Sequence, residues 1–176
     1  MHEQSTISQR RRLGVAGLLA VGWLVAAPML ALEAGDVAPG FRAPRLDGNG
    51  TLALADLHGK VVFVDFWASW CAPCQKSMPQ LDALAKEFPA ERFALIGVNL
   101  DKDAAAARKA LGKHPVSYPS ASDPAGGLPA RFGLETMPTA YLIDGEGVIR
   151  YVHRGFREGD IDEVRERIQK LLGESK

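Results

Sequence analysis

The stretch V-V-F-V-D-F-W-A-S-W-C-A-P-C-Q-K-S-M-P, from Val61 to Pro79, decides the fold and contains both cysteines of the chain, Cys71 and Cys74. The apolar run Val61–Ala68 that opens it is rich in Val, Phe and Trp, which is typical of a buried strand. After the cysteines, apolar residues recur every three or four positions, which predicts a helix. These residues are Met78, Leu81, Leu84 and Phe88. The sequence therefore predicts a Cys-x-x-Cys pair at a strand-to-helix turn.

Cys71 is expected in the first turn of this helix, where backbone N–H groups lack partners and the helix dipole places partial positive charge. Both effects favour a thiolate, so the sequence predicts a lowered pKa for Cys71 and a role as nucleophile. Cys74 lies one turn further on, close enough to form a disulfide with Cys71. We therefore predict that Cys71 attacks a partner disulfide and that Cys74 then resolves the mixed disulfide.

The segment V-D-F-W-A-S-W-C-A-P-C resembles the active-site stretch of the thioredoxin superfamily. With its export segment, the chain is most similar to the TlpA-like periplasmic disulfide reductases, over roughly residues 36 to 173. The resemblance implies an α/β, thioredoxin-like fold: a central mixed sheet flanked by helices, with an N-terminal β-hairpin and a central αβ insertion. It also implies a thiol:disulfide oxidoreductase without a cofactor, and it favours a disulfide reductase over an oxidase.

Residues 1–34 are expected to lie outside this fold, as an export signal or an N-terminal membrane anchor. Arg10, Arg11 and Arg12 precede an uncharged apolar run over residues 13–32, and this order is typical of an export signal. The run is also long enough to span a bilayer if it is not cleaved. Residues 35–176, the thioredoxin-like domain, are therefore expected to be periplasmic, either soluble or anchored to the inner membrane.

The composition restricts the partners. Lysine and arginine number 21 and so do aspartate and glutamate, and this balance gives no indication of nucleic-acid binding. Two cysteines cannot build a scaffold of several disulfides, so their spacing indicates redox chemistry. The family resemblance implies disulfides of exported proteins as substrates, for example in cytochrome c maturation. It also implies a membrane electron donor of the DsbD or CcdA type.

The remaining residues predict the rest of the domain. Pro79 falls within the helix after the cysteines, and because the apolar spacing stays in phase, a kinked single helix is favoured over two helices. We further predict a hairpin turn at Asp47-Gly48-Asn49-Gly50, a strand over Phe93–Asn99 and a helix over Ala104–Leu111 that Gly112 ends. A loop is predicted from Lys113 to Gly127, with a short strand near Val116–Tyr118. Two strands, over Ala140–Ile143 and Val148–His153, and a last helix with Asp160 and Glu163 as a capping box complete the domain.

The resemblance also implies which residues contact substrates. By position, Met137-Pro138 matches the cis-proline bond that faces the cysteines in thioredoxins, where the preceding residue pairs with an extended substrate. An ordinary trans proline at the start of a strand is the alternative reading. Trp70 is expected to shield the thiolate and to contact partners, and Pro73 to help set the redox potential.

Asp65 matches the buried aspartate of thioredoxins, which lies near the second cysteine. Burial raises the pKa of a carboxylic acid, so Asp65 is a candidate to take the proton from Cys74 during resolution. Thioredoxins pair this acid with a lysine in the next strand, but here the matching position is Gly97. The alternative reading is a partly hydrated aspartate with a structural role.

Other functions fit the sequence less well. A copper-binding chaperone would use the two cysteines with His114 or His153 as a third ligand, although His153 is interpreted as a surface residue. A peroxiredoxin would need a threonine three residues before its cysteine, and a zinc site would lack ligands. Asp101 loosely matches an acidic residue near the active site of some reductases, but we interpret it as a helix cap.

Overall fold

The computed structural model describes residues 31–174. The predicted export or anchor segment therefore lies almost entirely outside the described residues, and so does the apolar run that could span a bilayer. Within residues 31–174, no helix combines the length and the apolar character that crossing a membrane requires.

The centre of the molecule is a five-stranded mixed sheet with strand order β5-β4-β3-β6-β7, accompanied by a separate two-stranded hairpin. This arrangement is the thioredoxin-like architecture predicted from the sequence. In chain order the elements are β1 (Arg42–Pro44), β2 (Thr51–Ala53), a 3-10 helix (Leu54–Leu57), β3 (Val61–Trp67), α1 (Ala72–Ala85), β4 (Phe93–Asn99), α2 (Ala104–Lys113), β5 (Ser120–Ser122), α3 (Gly127–Phe132), β6 (Thr139–Ile143), β7 (Ile149–Arg154) and α4 (Asp160–Glu174).

Strand β3 is the core of the sheet, and every one of its residues is buried. It pairs in parallel with β4 and antiparallel with β6. Because side chains alternate along a strand, β3 contributes to two apolar layers. Val61 and Phe63 pack on one face with α1 and α4, whereas Val64 and Phe66 pack on the other face with the N-terminal segment and α3.

The predicted N-terminal hairpin is confirmed: β1 and β2 pair antiparallel. Its turn contains two glycines with positive φ, Gly48 at 79° and Gly50 at 84°, a conformation that glycine adopts without steric cost. Asp47 Oδ1 accepts a hydrogen bond of 3.0 Å from the Asn49 N–H. An isolated bridge between Arg45 and Ala121 attaches this hairpin to the edge strand β5.

Helix α1 is one continuous helix that passes through Pro79, so the prediction of a single helix is confirmed. It ends at Ala85, and the predicted extension of its apolar face to Phe88 is wrong. Phe88 lies in the turn after the helix, with its ring 5.2 Å from that of Phe93. The ring therefore contributes to the core from outside the helix.

The predicted αβ insertion is present as α2 and β5, with corrected bounds. Asp103 caps α2 by accepting a hydrogen bond of 2.8 Å from the Ala105 N–H. The helix continues through Gly112 to Lys113, so Gly112 does not end it. The strand lies at Ser120–Ser122 and not at Val116–Tyr118.

Helix α3 was not predicted, because Gly126-Gly127-Leu128-Pro129 suggests a loop. Pro129 occupies its first turn, where a backbone N–H would have no partner within the helix, so proline is tolerated. Phe132 at its end is fully buried, and its ring lies 5.0 Å from that of Phe66. Tertiary packing therefore stabilises a helix too short to be stable alone.

The last helix was predicted with a capping box of Asp160 and Glu163, and the structure corrects this detail. Asp160 is the first residue of α4, but its carboxylate accepts a hydrogen bond of 2.6 Å from the Arg157 N–H, which lies three residues earlier. Glu163 instead forms an ion pair of 3.1 Å with Arg167. The Asp160 carboxylate thereby faces back towards β7, which affects the site described below.

Candidate active site

Cys71 and Cys74 form a disulfide where the chain passes from β3 to α1. Cys71 is the N-cap of α1, and its sulfur accepts a hydrogen bond of 3.3 Å from the Cys74 N–H. Cys71 retains 4% of its exposure, whereas Cys74 is completely buried. Cys71 is thus the less buried of the two cysteines, and Cys74 lies deeper, as the sequence predicted.

The start of α1 suits a negatively charged sulfur. The first N–H groups of a helix lack internal partners and carry the positive end of its dipole, which stabilises a thiolate at this position. Pro73 occupies one of the first helical positions, where its missing N–H costs nothing. The sequence between the cysteines therefore allows the helix to begin directly at Cys71.

The residues predicted to contact substrates surround this sulfur pair. Trp70 is 66% exposed, so its ring is available to a partner, and Pro73 is also exposed. The Met137–Pro138 peptide bond is cis, as the resemblance implied. Met137 packs on the apolar cluster that contains both cysteines. Met137 and Trp70 therefore both lie next to the cysteines, and the buried Pro138 follows Met137 in the chain.

Asp101 holds the loop before Cys71, and its interpretation as a helix cap is wrong. Its carboxylate accepts hydrogen bonds from the Ser69 N–H (2.8 Å) and from the Ser69 hydroxyl (2.7 Å). A third bond of 2.7 Å comes from the Asn99 side-chain amide. Asp101 is only 4% exposed, but these three donors compensate for its burial.

A second polar contact closes the same loop from the helix side. The Gln75 side-chain amide donates a hydrogen bond of 2.5 Å to the Ser69 carbonyl oxygen. Ser69 is thus held by Asp101 on one side and by α1 on the other. This role of Ser69, Asn99 and Gln75 was not predicted from the sequence, because the partners are up to 32 residues apart in the chain.

Asp65 lies on the face of β3 that α1 covers and is 2% exposed. Its Oδ2 atom has no hydrogen-bond partner among the described residues. Burial raises its pKa from the ordinary value of 3.8 to about 8, because desolvation disfavours the charged form. The predicted burial of Asp65 is confirmed.

Gly97 lies directly beside Asp65 on β4, as the sequence comparison implied. A Cβ atom at this position would come 2.3 Å from Ser120 Oγ and 2.9 Å from Trp67 Nε1. Ser120 Oγ accepts a hydrogen bond of 3.2 Å from that same indole nitrogen. The indole and the serine therefore fill the space that a lysine side chain would need.

A small cavity opens beside Asp65, between the sheet, α1 and α4. Ser77, one turn after Cys74, lines it, and so do Pro138 and His153. The His153 side chain is 13% exposed, so its interpretation as a surface residue is wrong. Strand pairing places His153 beside Ala140 and Ala140 beside Asp65, so the three residues form one row across the sheet.

The structure gives the copper reading no support. Among residues 31–174, no group of three or more His, Cys, Asp or Glu side chains is placed to hold a metal ion. His114 follows the end of α2, and His153 faces the cavity beside Asp65. The two cysteines are bonded to each other.

A Cys-x-x-Cys disulfide at a helix N-terminus, beside a cis proline and above a buried acid, on this sheet, defines a thioredoxin-fold thiol:disulfide oxidoreductase. The sequence matches the redoxin family over residues 33–168, and the chain belongs to that family.

Known proteins resemble the chain over most of its length. It is 29% identical to the thiol-disulfide oxidoreductase ResA of Bacillus thuringiensis, over 80% of this chain and 78% of that one. A structure described as thiol:disulfide interchange protein DsbE from Chlorobium tepidum is 38% identical, with a TM-score of 0.77 over 81% of this chain and 100% of that one. The exposed lipoprotein thioredoxin of Streptococcus pneumoniae is 30% identical, with a TM-score of 0.67 over 76% of this chain and 100% of that one.

Proposed function

We propose that this oxidoreductase works outside the cytoplasm and reduces disulfides of exported proteins. The observation that carries the proposal is the pairing of the less buried Cys71 with the fully buried Cys74, beside an acid of raised pKa, Asp65. This arrangement separates the attack on a substrate from the proton transfer that releases it.

The reaction has two exchanges. In the reduced protein the Cys71 thiolate attacks a sulfur of the substrate disulfide, and the second substrate sulfur leaves with the electron pair. The Cys74 sulfur then attacks Cys71, so the substrate leaves as a dithiol and the disulfide seen in the structure forms. For this second attack the Cys74 thiol must lose its proton.

Asp65 is proposed as the acceptor of that proton. It lies under α1, and Ser77, whose hydroxyl donates a 2.8 Å hydrogen bond to the Cys74 carbonyl oxygen, lines the cavity beside it. Since its pKa is about 8, the ionised form that accepts a proton increases as the pH rises through that value. General bases with a pKa near the working pH are the most effective ones.

Trp70, Pro73, Met137 and Pro138 are proposed to contact the substrate. Trp70 offers a large exposed ring, and aromatic residues of this kind contribute strongly to protein interfaces. The backbone before Pro138 is proposed to pair with an extended substrate segment in the manner of an added strand.

The N-terminal segment supports the location. Three arginines before an apolar run are typical of an export signal, and one similar structure is an exposed lipoprotein. We propose residues 1–34 as the leader or anchor and a periplasmic site of action. Because that compartment is oxidising, the enzyme would need reducing equivalents from a membrane donor of the DsbD or CcdA type. Apocytochrome c is the substrate class proposed from the family resemblance.

The direction can be tested by equilibrating the Cys71–Cys74 pair with glutathione. A reductase is expected to have a potential near or below about −270 mV, the value for thioredoxin. A potential near about −120 mV, as for strong oxidants, would overturn the proposed direction. Substrates can be identified with Cys74→Ser, which is expected to accumulate mixed disulfides at Cys71, whereas Cys71→Ser, the matched control, is expected to accumulate none.

A further inference from the structure

We propose that His153 is the relay through which Asp65 exchanges its proton with solvent. The inference rests on the proposed role of Asp65, which leaves open where the proton goes next. Asp65 is 2% exposed, so its carboxyl group needs an intermediate partner to reach water. His153 acts on the reaction only through Asp65 and does not touch the sulfur atoms in this mechanism.

Asp65 and His153 lie in one row of residues across the sheet. Gly97 lies on one side of Asp65, and on the other side Ala140 is followed by His153. Strands lie about 4.8 Å apart, so Asp65 and His153 are two strand spacings apart on the same face. The small side chain of Ala140 leaves the space between them open.

Asp65 and His153 also line one cavity. Among the described residues, Asp65 Oδ2 has no hydrogen-bond partner, and His153 Nε2 has the Asp160 carboxylate oxygen 3.2 Å away. The cavity has room for about one water molecule, and Ser77 lines it as a further polar group. A buried water is stable where two to four polar groups can bind it, and these three residues supply them.

The hydrogen bond at Nδ1 bears on which nitrogen of the His153 imidazole carries the proton. His153 Nδ1 lies 3.1 Å from the Tyr151 hydroxyl oxygen. Burial raises the pKa of Tyr151 and the nearby Glu163 carboxylate raises it further, so the phenol keeps its proton and can donate it to Glu163. The Tyr151 oxygen can then accept a hydrogen bond from His153 Nδ1–H, so Nε2, which lies beside the Asp160 carboxylate, is the nitrogen that can accept a proton.

Asp160 connects His153 to solvent. His153 Nε2 lies 3.2 Å from Asp160 Oδ2, and the exposed fraction of the Asp160 side chain is 22%. The side-chain exposure therefore increases from Asp65 to His153 and then to Asp160. When Nε2 has taken the proton, the Asp160 carboxylate stabilises the positive charge, and the proton can pass from there to solvent.

Charged and titratable groups lie around His153 on three elements. Strand β3 contributes Asp65, and β7, the strand that contains His153, contributes Tyr151. Helix α4 contributes Asp160, with Glu163 and Arg167 beside Tyr151; Arg167 lies 4.6 Å over the Tyr151 ring.

The Cys74 thiol gives its proton to the Asp65 carboxylate, and the resulting thiolate attacks Cys71 and expels the substrate sulfur with its electron pair. Asp65 then passes the proton through the cavity water to His153 Nε2, and from His153 it reaches solvent beside Asp160. When a dithiol donor reduces the disulfide, the same protons move in the opposite direction and Cys74 is protonated again.

The test isolates resolution. A mixed disulfide between Cys71 and glutathione is formed in the full-length protein at low pH, and release of glutathione is followed after a jump to pH 6–9. His153→Gln and His153→Ala are expected to slow release about tenfold, less than the 10²–10⁴-fold effect of a direct general base. Added imidazole is expected to restore the rate in His153→Ala, since it can occupy the space of the deleted ring.

The controls separate this inference from the proposed function. His58→Gln, at an exposed histidine, is expected to leave the rate unchanged, and Asp160→Asn to slow release by less than the His153 variants do. If Asp65→Asn slows release and the His153 variants do not, or if imidazole has no effect on His153→Ala, the relay is wrong and Asp65 acts by another route. If Asp65→Asn leaves the rate of glutathione release unchanged, the proposed proton-acceptor role of Asp65 and the His153 relay are both wrong.

Discussion

Two buried carboxylates lie close to the cysteines in the fold, and their surroundings differ completely. Asp101 is 4% exposed and accepts hydrogen bonds from three donors of Ser69 and Asn99. Asp65 is 2% exposed, and its Oδ2 atom has no partner within residues 31–174. Burial alone therefore does not define a carboxylate's role. The satisfied group fixes the active-site loop, and the unsatisfied group is available to bind and release a proton.

The largest expected effect concerns the pH dependence of stability. The pKa of Asp65 is about 8 in the folded protein against an ordinary value of 3.8, so folding favours its protonated form. This contribution is complete below about pH 4 and is lost as the pH rises to about 8, by about 1.4 kcal/mol per pH unit. Asp65→Asn should remove the loss, and denaturant unfolding should show the variant to be several kcal/mol more stable at pH 8.5. Equal stabilities at that pH would contradict the raised pKa.

Removing the Asp101 carboxylate should destabilise the protein, whereas removing the Asp65 carboxylate should stabilise it at high pH. Asp101→Ala leaves the donors of Ser69 and Asn99 without their acceptor, and we expect a loss of about 3 kcal/mol in the free energy of unfolding. Turnover should fall as well, because the loop before Cys71 is no longer held. The matched control is Asp103→Ala at the exposed cap of α2, which should cost about 1 kcal/mol and leave turnover unchanged. Equal turnover in the two variants would remove the special role of Asp101.

The position beside Asp65 on β4 is Gly97 and not a lysine. Gly97→Ala would place a Cβ 2.3 Å from Ser120 Oγ, and this overpacking should cost about 1–3 kcal/mol. Gly112→Ala in α2, where no described atom outside the helix's own backbone and the two chain neighbours lies within 4 Å of the added Cβ, should instead stabilise the protein by about 0.5–1 kcal/mol. Thermal unfolding of both variants measures the difference. A neutral Gly97→Ala would mean that this position can accept a side chain after all.

The smallest effect on stability is expected from Trp70→Ala, which changes neither carboxylate. Since Trp70 is 66% exposed, the free energy of unfolding should change by less than about 0.5 kcal/mol. The kcat/KM for a protein disulfide should fall about tenfold, because an exposed aromatic ring at an interface is worth more than about 1 kcal/mol. A small disulfide should react normally. Val37→Ala, at a 73% exposed residue, is the control.

Much of this fold could be predicted from the sequence because the signals are local. The bounds of β4 were predicted without error, and the hairpin turn at residues 47–50 and the helix that begins at Cys71 were recognised. Strand β5 escaped prediction because Ser120-Ala121-Ser122 lacks the residues that favour strands. Helix α3 escaped because its packing around Phe132, and not its composition, stabilises it.

In the candidate site, too, contacts between residues close in the sequence were predicted, and contacts made by strand pairing were not. Cys71 and Cys74 are neighbours in sequence, so their pairing was evident from their spacing. Asp101 and Ser69 are 32 residues apart, and only the parallel pairing of β3 and β4 brings them together. The place of His153 depends on the register of three strands, which sequence periodicity does not give. Its interpretation as a surface residue therefore followed from its local context alone.

The measurement that tests the central claim most directly is a titration of the Asp65 carboxyl carbon by NMR in the reduced and the oxidised protein. Asp65→Asn would assign the signal. The account predicts a midpoint near pH 8, in agreement with a buried carboxyl group that has an unpartnered oxygen. A midpoint near the ordinary value of 3.8 in both redox states would mean that Asp65 is already ionised near neutral pH. It would then not be the tuned proton acceptor behind Cys74.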